Sequence, residues 1–343
     1  MKRSTIADVA RAAELSVATV DRVLSGRARV REETARKVQE AAIAVGYHGT
    51  NMIRQRLLAE RPGMRMAILL QKERHPFYQE LKREFEARAS TITERNVRLV
   101  VKFATSTSPD ELASLLRGCK GHFDAVAATG VDHPEVTAAV QDLRQAGIPT
   151  FSLLSDFAQG VRESYFGLNN LRVGRTAGWL IANIAKRPGK VGIFVGAYRY
   201  HGHELREMGM RSYFREYAPQ FQMLDGQINL ETRKLTEEAT GDLLARHDDL
   251  VGLYVAGGGM EGAIAAFERS GAADRCALLV NELTPDSYAG LQNRSVSIVL
   301  ATPVQQMVSE LLSYTVGIME RGISATPGQR FFTATIYTPE SLG

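Results

Sequence analysis

The chain has 343 residues, 44% of them hydrophobic and 23% charged, with a formal net charge of +4, enough to bury a core without staples. No apolar run nears the roughly 20 residues of a membrane span, and no secretory signal opens the chain. Cys119 and Cys276 form no CxxC pair, which excludes a disulfide framework or cysteine zinc site and fits a cytoplasmic protein. The charge is concentrated. Residues 1–61 carry twelve Lys/Arg against seven Asp/Glu, a balance of +5, leaving −1 for the other 282. A compact basic head on a neutral body suits phosphate binding.

In chain order, Ser4-Thr5 precedes Ile6, Val9, Ala10 and Ala13, a hydroxyl cap before a helical stripe. Glu14-Leu15-Ser16 breaks the stripe. Ser16 can cap a second helix in which Val20, Val23 and Leu24 face inward while Ala18, Thr19, Asp21 and Arg22 face out; Ser25-Gly26 stops it. A third helix is predicted over 32–45, with Val38, Ala41, Ala42 and Val45 on one face. Two short helices joined by a tight turn and buttressed by a third predict a helix-turn-helix over 1–46.

The run Thr5-Ile6-Ala7-Asp8-Val9-Ala10 through Leu15-Ser16-Val17-Ala18-Thr19-Val20-Asp21-Arg22-Val23-Leu24, with Thr34 and Gly46-Tyr47, resembles the opening of LacI/GalR-family transcriptional regulators. The resemblance implies that the second helix enters a major groove of double-stranded DNA, Val17, Ala18 and Arg22 meeting base edges while Thr5, Ser16 and Thr19 meet phosphates. Arg22 is the side chain able to grip guanine with two bonds. Asp21 departs from the family's usual serine and either accepts from cytosine or orients Arg22. Residues 47–64 are the expected hinge. The family wedges a leucine into the minor groove there; Arg56 takes that position here, and Arg54 and Arg56 suit the groove.

From residue 64 on, apolar runs at 66–70, 97–103, 125–128, 149–154, 191–195, 252–256, 277–280 and 297–300 alternate with helical stretches, and a final strand is expected near 332–337. This predicts parallel sheets covered by helices on both faces, and the number of units calls for two doubly wound α/β lobes. The segment 65–343 resembles the periplasmic sugar-binding-protein fold of LacI-family effector domains. Crossings between lobes are expected near Phe166, Gly290 and Ala325. They place lobe one at about 65–165 and 291–324, and lobe two at about 166–290 and 325–343.

The resemblance carries effector-binding roles to His75, Phe77 and Tyr78 in a His-Pro-Phe-Tyr turn, to Asp156, to Asn169 and Asn170, to Arg206 of an Arg-x-x-Gly, and to Glu282. Other family polar positions fall at Ala128, Ala301 and Gly257-Gly258-Gly259, small residues that leave room for a ligand larger than a bare pentose. The implied protein is an allosteric regulator, a repressor, without enzymatic activity, cofactor or metal. It is expected as a homodimer on a pseudo-palindromic operator, with Leu81 and Phe85 among the dimer contacts, its operator affinity set by a sugar, polyol or sugar derivative. The alternative from another class is an NAD-dependent oxidoreductase. Gly257-Gly258-Gly259-Met260-Glu261-Gly262 is a formal GxGxxG between a strand and a helix, with Glu282 twenty residues beyond its last glycine.

Overall fold

The computed structural model describes residues 4–25, 30–48, 61–197 and 199–342. They form two compact units: a small one holding the N-terminal helices together with 90–98, and a large one built from 65–89 and everything from 99 on.

In the small unit, α1 (Ile6–Ala13) begins at a capping box: Asp8 N donates to Thr5 Oγ1, and Thr5 N donates to the Asp8 carboxylate at 2.9 Å. Glu14, in the left-handed region, ends it. α2 (Val17–Ser25) follows after Leu15 and Ser16, and α3 is Glu32–Ala44. Val9, Val20, Val38 and Ala42 are wholly buried and form the shared core with Ala10, Ala35 and Ala41. Small residues between the larger ones let short helices approach closely.

The large unit contains two sheets. The first has strand order β12-β5-β4-β3-β1-β2, formed by β1 (Gly63–Leu70), β2 (Asn96–Phe103), β3 (Ala125–Ala128), β4 (Thr150–Leu153), β5 (Ser164–Leu168) and β12 (Gly328–Phe332). Ala67 and Leu69 sit beside Val126 and Ala128 in the parallel β1–β3 register. Every residue of β1 from Met66 onward is buried, as a central parallel strand covered on both faces must be. The edge strand β2 is only half-covered. Its helices are α4 (Pro76–Ala89), α5 (Pro109–Arg117), α6 (Pro134–Gln145) and α12 (Val304–Arg321). Pro109 and Pro134 stand in the first turns of α5 and α6, where a missing N–H is harmless.

The second sheet runs β13-β11-β10-β9-β6-β7, with β8 beside β6. Its strands are β6 (Lys190–Val195), β7 (Gln222–Met223), β8 (Gln227–Ile228), β9 (Leu250–Val255), β10 (Ala277–Asn281), β11 (Ile298–Ala301) and β13 (Thr335–Tyr337), with α7 (Asn170–Ile184), α8 (His201–Tyr217), α9 (Arg233–Arg246), α10 (Met260–Ser270) and α11 (Pro285–Gln292) around them. β13 is antiparallel to β11. Phe194, Leu253, Val280 and Val299 form the core against Phe267 and Ile264 of α10.

The crossings differ from the sequence expectation. β5 continues the first sheet through Leu168, so the first crossing follows Leu168 instead of falling near Phe166. β11 pairs with β10, which moves the second from Gly290 to Thr302-Pro303. β12 lies against β5, and β13 against β11, so the expected single strand at 332–337 is two strands in different lobes, and the third crossing is Thr333-Ala334, not Ala325. Leu81 and Phe85 also depart from expectation. Both are wholly buried within the first lobe, where α4 packs on α12, and offer no surface to a partner.

Candidate functional site

On α2, Val20 and Val23 turn into the core while Ser16, Val17, Ala18, Asp21 and Arg22 are exposed, Val17 by 52%. Val17 thus stands with Ala18 and Arg22 on the outward face of α2. Ser16 Oγ accepts from Thr19 N at 3.1 Å and lies 2.8 Å from Thr19 Oγ1, so the two hydroxyls close the helix N-terminus together. Thr5 differs: its hydroxyl donates to Asp8 at 2.7 Å and is committed to the cap. Among the described residues no ion pair joins Asp21 to Arg22. Arg54 and Arg56 lie outside the described residues.

In the large unit the strand C-termini of both lobes face a cavity of about 90 Å³. The lobes meet around it. Tyr200 donates to Gln71 Oε1 at 3.0 Å, and Gly202 N donates to Ser155 Oγ at 3.1 Å. Lys72 pairs with Glu231 across the gap, and His75 Nε2 lies 3.6 Å from Glu261.

Of the residues expected to bind ligand, His75, Phe77, Tyr78, Arg206 and Glu282 line this cavity. Phe77 is held by α4 as a buried anchor, and Phe77 and Tyr78 meet edge to face. Arg206 projects from α8, whose backbone touches α7: a Cβ at Gly209 would stand 2.1 Å from the Leu171 carbonyl, and one at Gly174 1.9 Å from that of Arg206. Gly209 of the Arg-x-x-Gly is therefore a packing glycine. Arg206 donates through Nε to Asn170 Oδ1 at 2.7 Å and through Nη1 to the Ala256 carbonyl at 2.6 Å. Glu282 sits at φ +66°, and its carboxylate accepts from Thr302 N and Oγ1 at 2.8 and 2.7 Å, tying the cavity wall to the second crossing. Burial raises the pKa of Glu282 against the pull of those bonds.

Three expected residues lie off the cavity. Asp156 is buried in a two-pronged ion pair with Arg162, reinforced by Ser152 Oγ at 2.6 Å, and has no face left for a hydroxyl. Asn169 caps α7, accepting from Arg172 N at 3.1 Å. Asn170 is buried behind Arg206 and orients it. The Asp-Asn-like pair thus builds a helix start, and a capping asparagine resembles a ligand asparagine in sequence.

The cavity also holds residues the sequence reading did not place there, including Lys72, Thr129, Ser155, Tyr200, Glu231 and Asn281. Thr129 Oγ1 is buried with no partner. Glu231 is presented by a backbone turn in which Leu230 (φ +48°) and Glu231 (φ +53°) are both left-handed, conformations that cost on the order of 1–3 kcal/mol each and gather at functional sites. Buried Asn229 braces the turn, accepting from Glu231 N at 2.9 Å and donating to the Gly258 carbonyl at 2.9 Å. Burial alone would raise the Glu231 carboxyl; Lys72, His203 and the Gly258 N–H outweigh it and hold it at about 2. His203 accepts from Gly196 N through Nδ1 at 3.2 Å and turns Nε2 to Glu231, 3.9 Å away; burial pulls it down to about 4.

The glycine-rich turn has a different use from the one its spacing suggests. A Cβ at Gly257 would come within 2.5 Å of His203, one at Gly258 within 3.0 Å of Glu231, and one at Gly196 within 2.3 Å of Glu231. The room those glycines leave is filled by the protein's own His203 and Glu231. That argues against a phosphate cradle, while Gly257 and Gly258 still line the cavity. Gly259 (φ +88°) enters α10 in the left-handed region. Among the described residues no three His, Cys, Asp or Glu side chains gather as a metal site.

A ligand cleft between two doubly wound lobes, in a chain opening with a helix-turn-helix unit, defines the class: a two-lobed binding protein with a DNA-binding-type head. Residues 66–314 match the periplasmic binding protein domain, and the chain belongs to that family; residues 5–49 match the lacI family of bacterial regulatory proteins, whose helix-turn-helix domain forms its N-terminus. The HTH-type transcriptional regulator DegA of Bacillus subtilis is 27% identical over 157 residues, 45% of this chain and 44% of that protein. Catabolite control protein A of Staphylococcus epidermidis is 27% identical over 182 residues, 44% of this chain and 55% of that protein. The alignments thus span about half the length of these relatives. A periplasmic solute-binding protein from Actinobacillus succinogenes, solved with bound D-allose, superposes with a TM-score of 0.73 at 19% identity, over 82% of this chain and 98% of that one. A glucose-galactose binding protein from Geobacillus stearothermophilus gives 0.74 at 16%, over 82% and 99%. Both likenesses are of fold. No described helix is long and apolar enough to cross a membrane.

Proposed function

We propose that the protein is a sequence-specific, DNA-binding transcriptional regulator, a cytoplasmic repressor without enzymatic activity, whose operator affinity is set by a carbohydrate-like effector in the cleft. The observation that carries this is α2, with Val20 and Val23 inward and Val17, Ala18 and Arg22 presented outward on a basic unit. One such helix reads few base pairs, so a homodimer acts on a pseudo-palindromic operator. Ser16 and Thr19 address phosphates, with Thr5 acting through the helix end. His75, Phe77, Tyr78, Arg206 and Glu282 contact the effector. The coupling between ligand and operator is typically about 1–3 kcal/mol and reciprocal.

Fluorescence anisotropy on operator DNA, with and without effector, tests this. Arg206→Ala should lose the effector response and keep operator binding; a variant that responds normally contradicts the cleft assignment. The dinucleotide alternative has no support in the geometry, since His203 and Glu231 fill the glycine turn.

A further inference from the structure

The cleft is electrically closed, and that limits what it can take. Its described lining contributes two cations, Lys72 and Arg206, and two carboxylates, Glu231 and Glu282. Each is already answered. Lys72 pairs with Glu231 across the lobes, and Glu231 also accepts from Gly258 N at 2.9 Å. Arg206 spends Nε on Asn170 and Nη1 on the Ala256 carbonyl, and its charge is balanced by Glu282, on which it pulls electrostatically. Glu282 is occupied by Thr302. Burial pulls both cleft histidines below their ordinary value, so neither supplies a spare cation at neutral pH. What is left over is polar and uncharged in its demands, led by the buried, partnerless Thr129 hydroxyl.

We propose that the cleft takes an uncharged polyhydroxylated ring, and that Lys72 and Glu231 are the specificity-determining pair that excludes sugar acids, sugar phosphates and amino sugars. A ring hydroxyl can accept from Lys72 and donate to Glu231 without parting them. A charged ligand enters without a counter-charge, or it breaks the pair and strands the other member in a buried site, which is strongly unfavourable. This rests on the cleft being the ligand site.

The test is thermal shift and calorimetric titration of the full-length protein with matched probes: D-galactose, D-glucose, D-allose and D-arabinose as neutral sugars, then galacturonate, galactose phosphate and galactosamine. The unliganded Tm of each variant reports folding. In the unaltered protein at least one neutral sugar raises Tm, and the charged compounds do not. Glu231→Gln frees Lys72 and should improve galacturonate or galactose phosphate binding about tenfold or more relative to the neutral sugars, as one charge-assisted bond allows; Lys72→Gln should do the same for galactosamine. A charged compound that stabilises the unaltered protein as well as its neutral parent overturns the proposal, as does unchanged selectivity in both variants. Silence from every probe in all three proteins removes the cleft as the ligand site, and the proposal with it.

Discussion

His203 reports on the cleft through its titration. Folded, the imidazole stays neutral down to about pH 4, whereas in the unfolded chain it takes up its proton near 6.5. The unfolded state therefore binds more protons across that interval, and stability rises with pH through it and falls on acidification, by on the order of 3 kcal/mol at full amplitude. Glu231, held at about 2 against 4.5, extends the loss below pH 4.5. His203→Asn should weaken the dependence of Tm between pH 6.5 and 4, leaving the share of His75, and should shrink the lower limb as Glu231 loses one of the charges that hold it down. A variant with the same upper limb would mean that His203 is not the buried neutral group described. On the second helix, Arg22→Ala should reduce discrimination between operator and random DNA by about 1–3 kcal/mol while changing nonspecific affinity little; competition binding reads both, and unchanged discrimination removes Arg22 as a base reader.

At the scale of elements, α7 and α8 touch through glycines, and the fit is testable. Gly209→Ala would place a methyl 2.1 Å from the Leu171 carbonyl, backbone that cannot swing away. Overpacking of this kind typically costs about 1–3 kcal/mol, sometimes more, so Tm should drop and the Arg206 guanidinium should shift with its helix. An unchanged Tm would contradict the close approach. The same elements show where sequence reading works and where it stops. The head was legible because caps and periodicity are local: Ser4-Thr5 ahead of Ile6, and Val9, Val20 and Val38 at helical spacing. Buried runs such as 66–70 and 277–280 gave the strands. Two-residue β7 and β8 carry too few residues for a period, β5 mixes serine and glycine into its run, and the crossings depend on which strands pair, a long-range fact. At the cleft, the His75–Tyr78 turn and Arg206 lay in recognisable patterns. Glu231 and Thr129 did not, because what marks them is burial, backbone strain and a missing partner, none visible along the chain.

For the molecule as a whole, charge is divided between units: +5 on residues 1–61 and −1 on the rest. DNA affinity should therefore fall steeply with salt, with a log–log slope near −0.9 per phosphate neutralised, and this dependence should belong to the head while ligand response belongs to the cleft. The central claim is that α2 reads base sequence. Its most direct measurement is selection of duplexes from a random pool by the purified full-length protein, followed by anisotropy titration of the winners across salt concentrations. The account predicts enrichment of a pseudo-palindromic site whose preference over random duplex survives at each salt and is weakened in Arg22→Ala. No enrichment over the starting pool, or equal binding to every duplex, would contradict it.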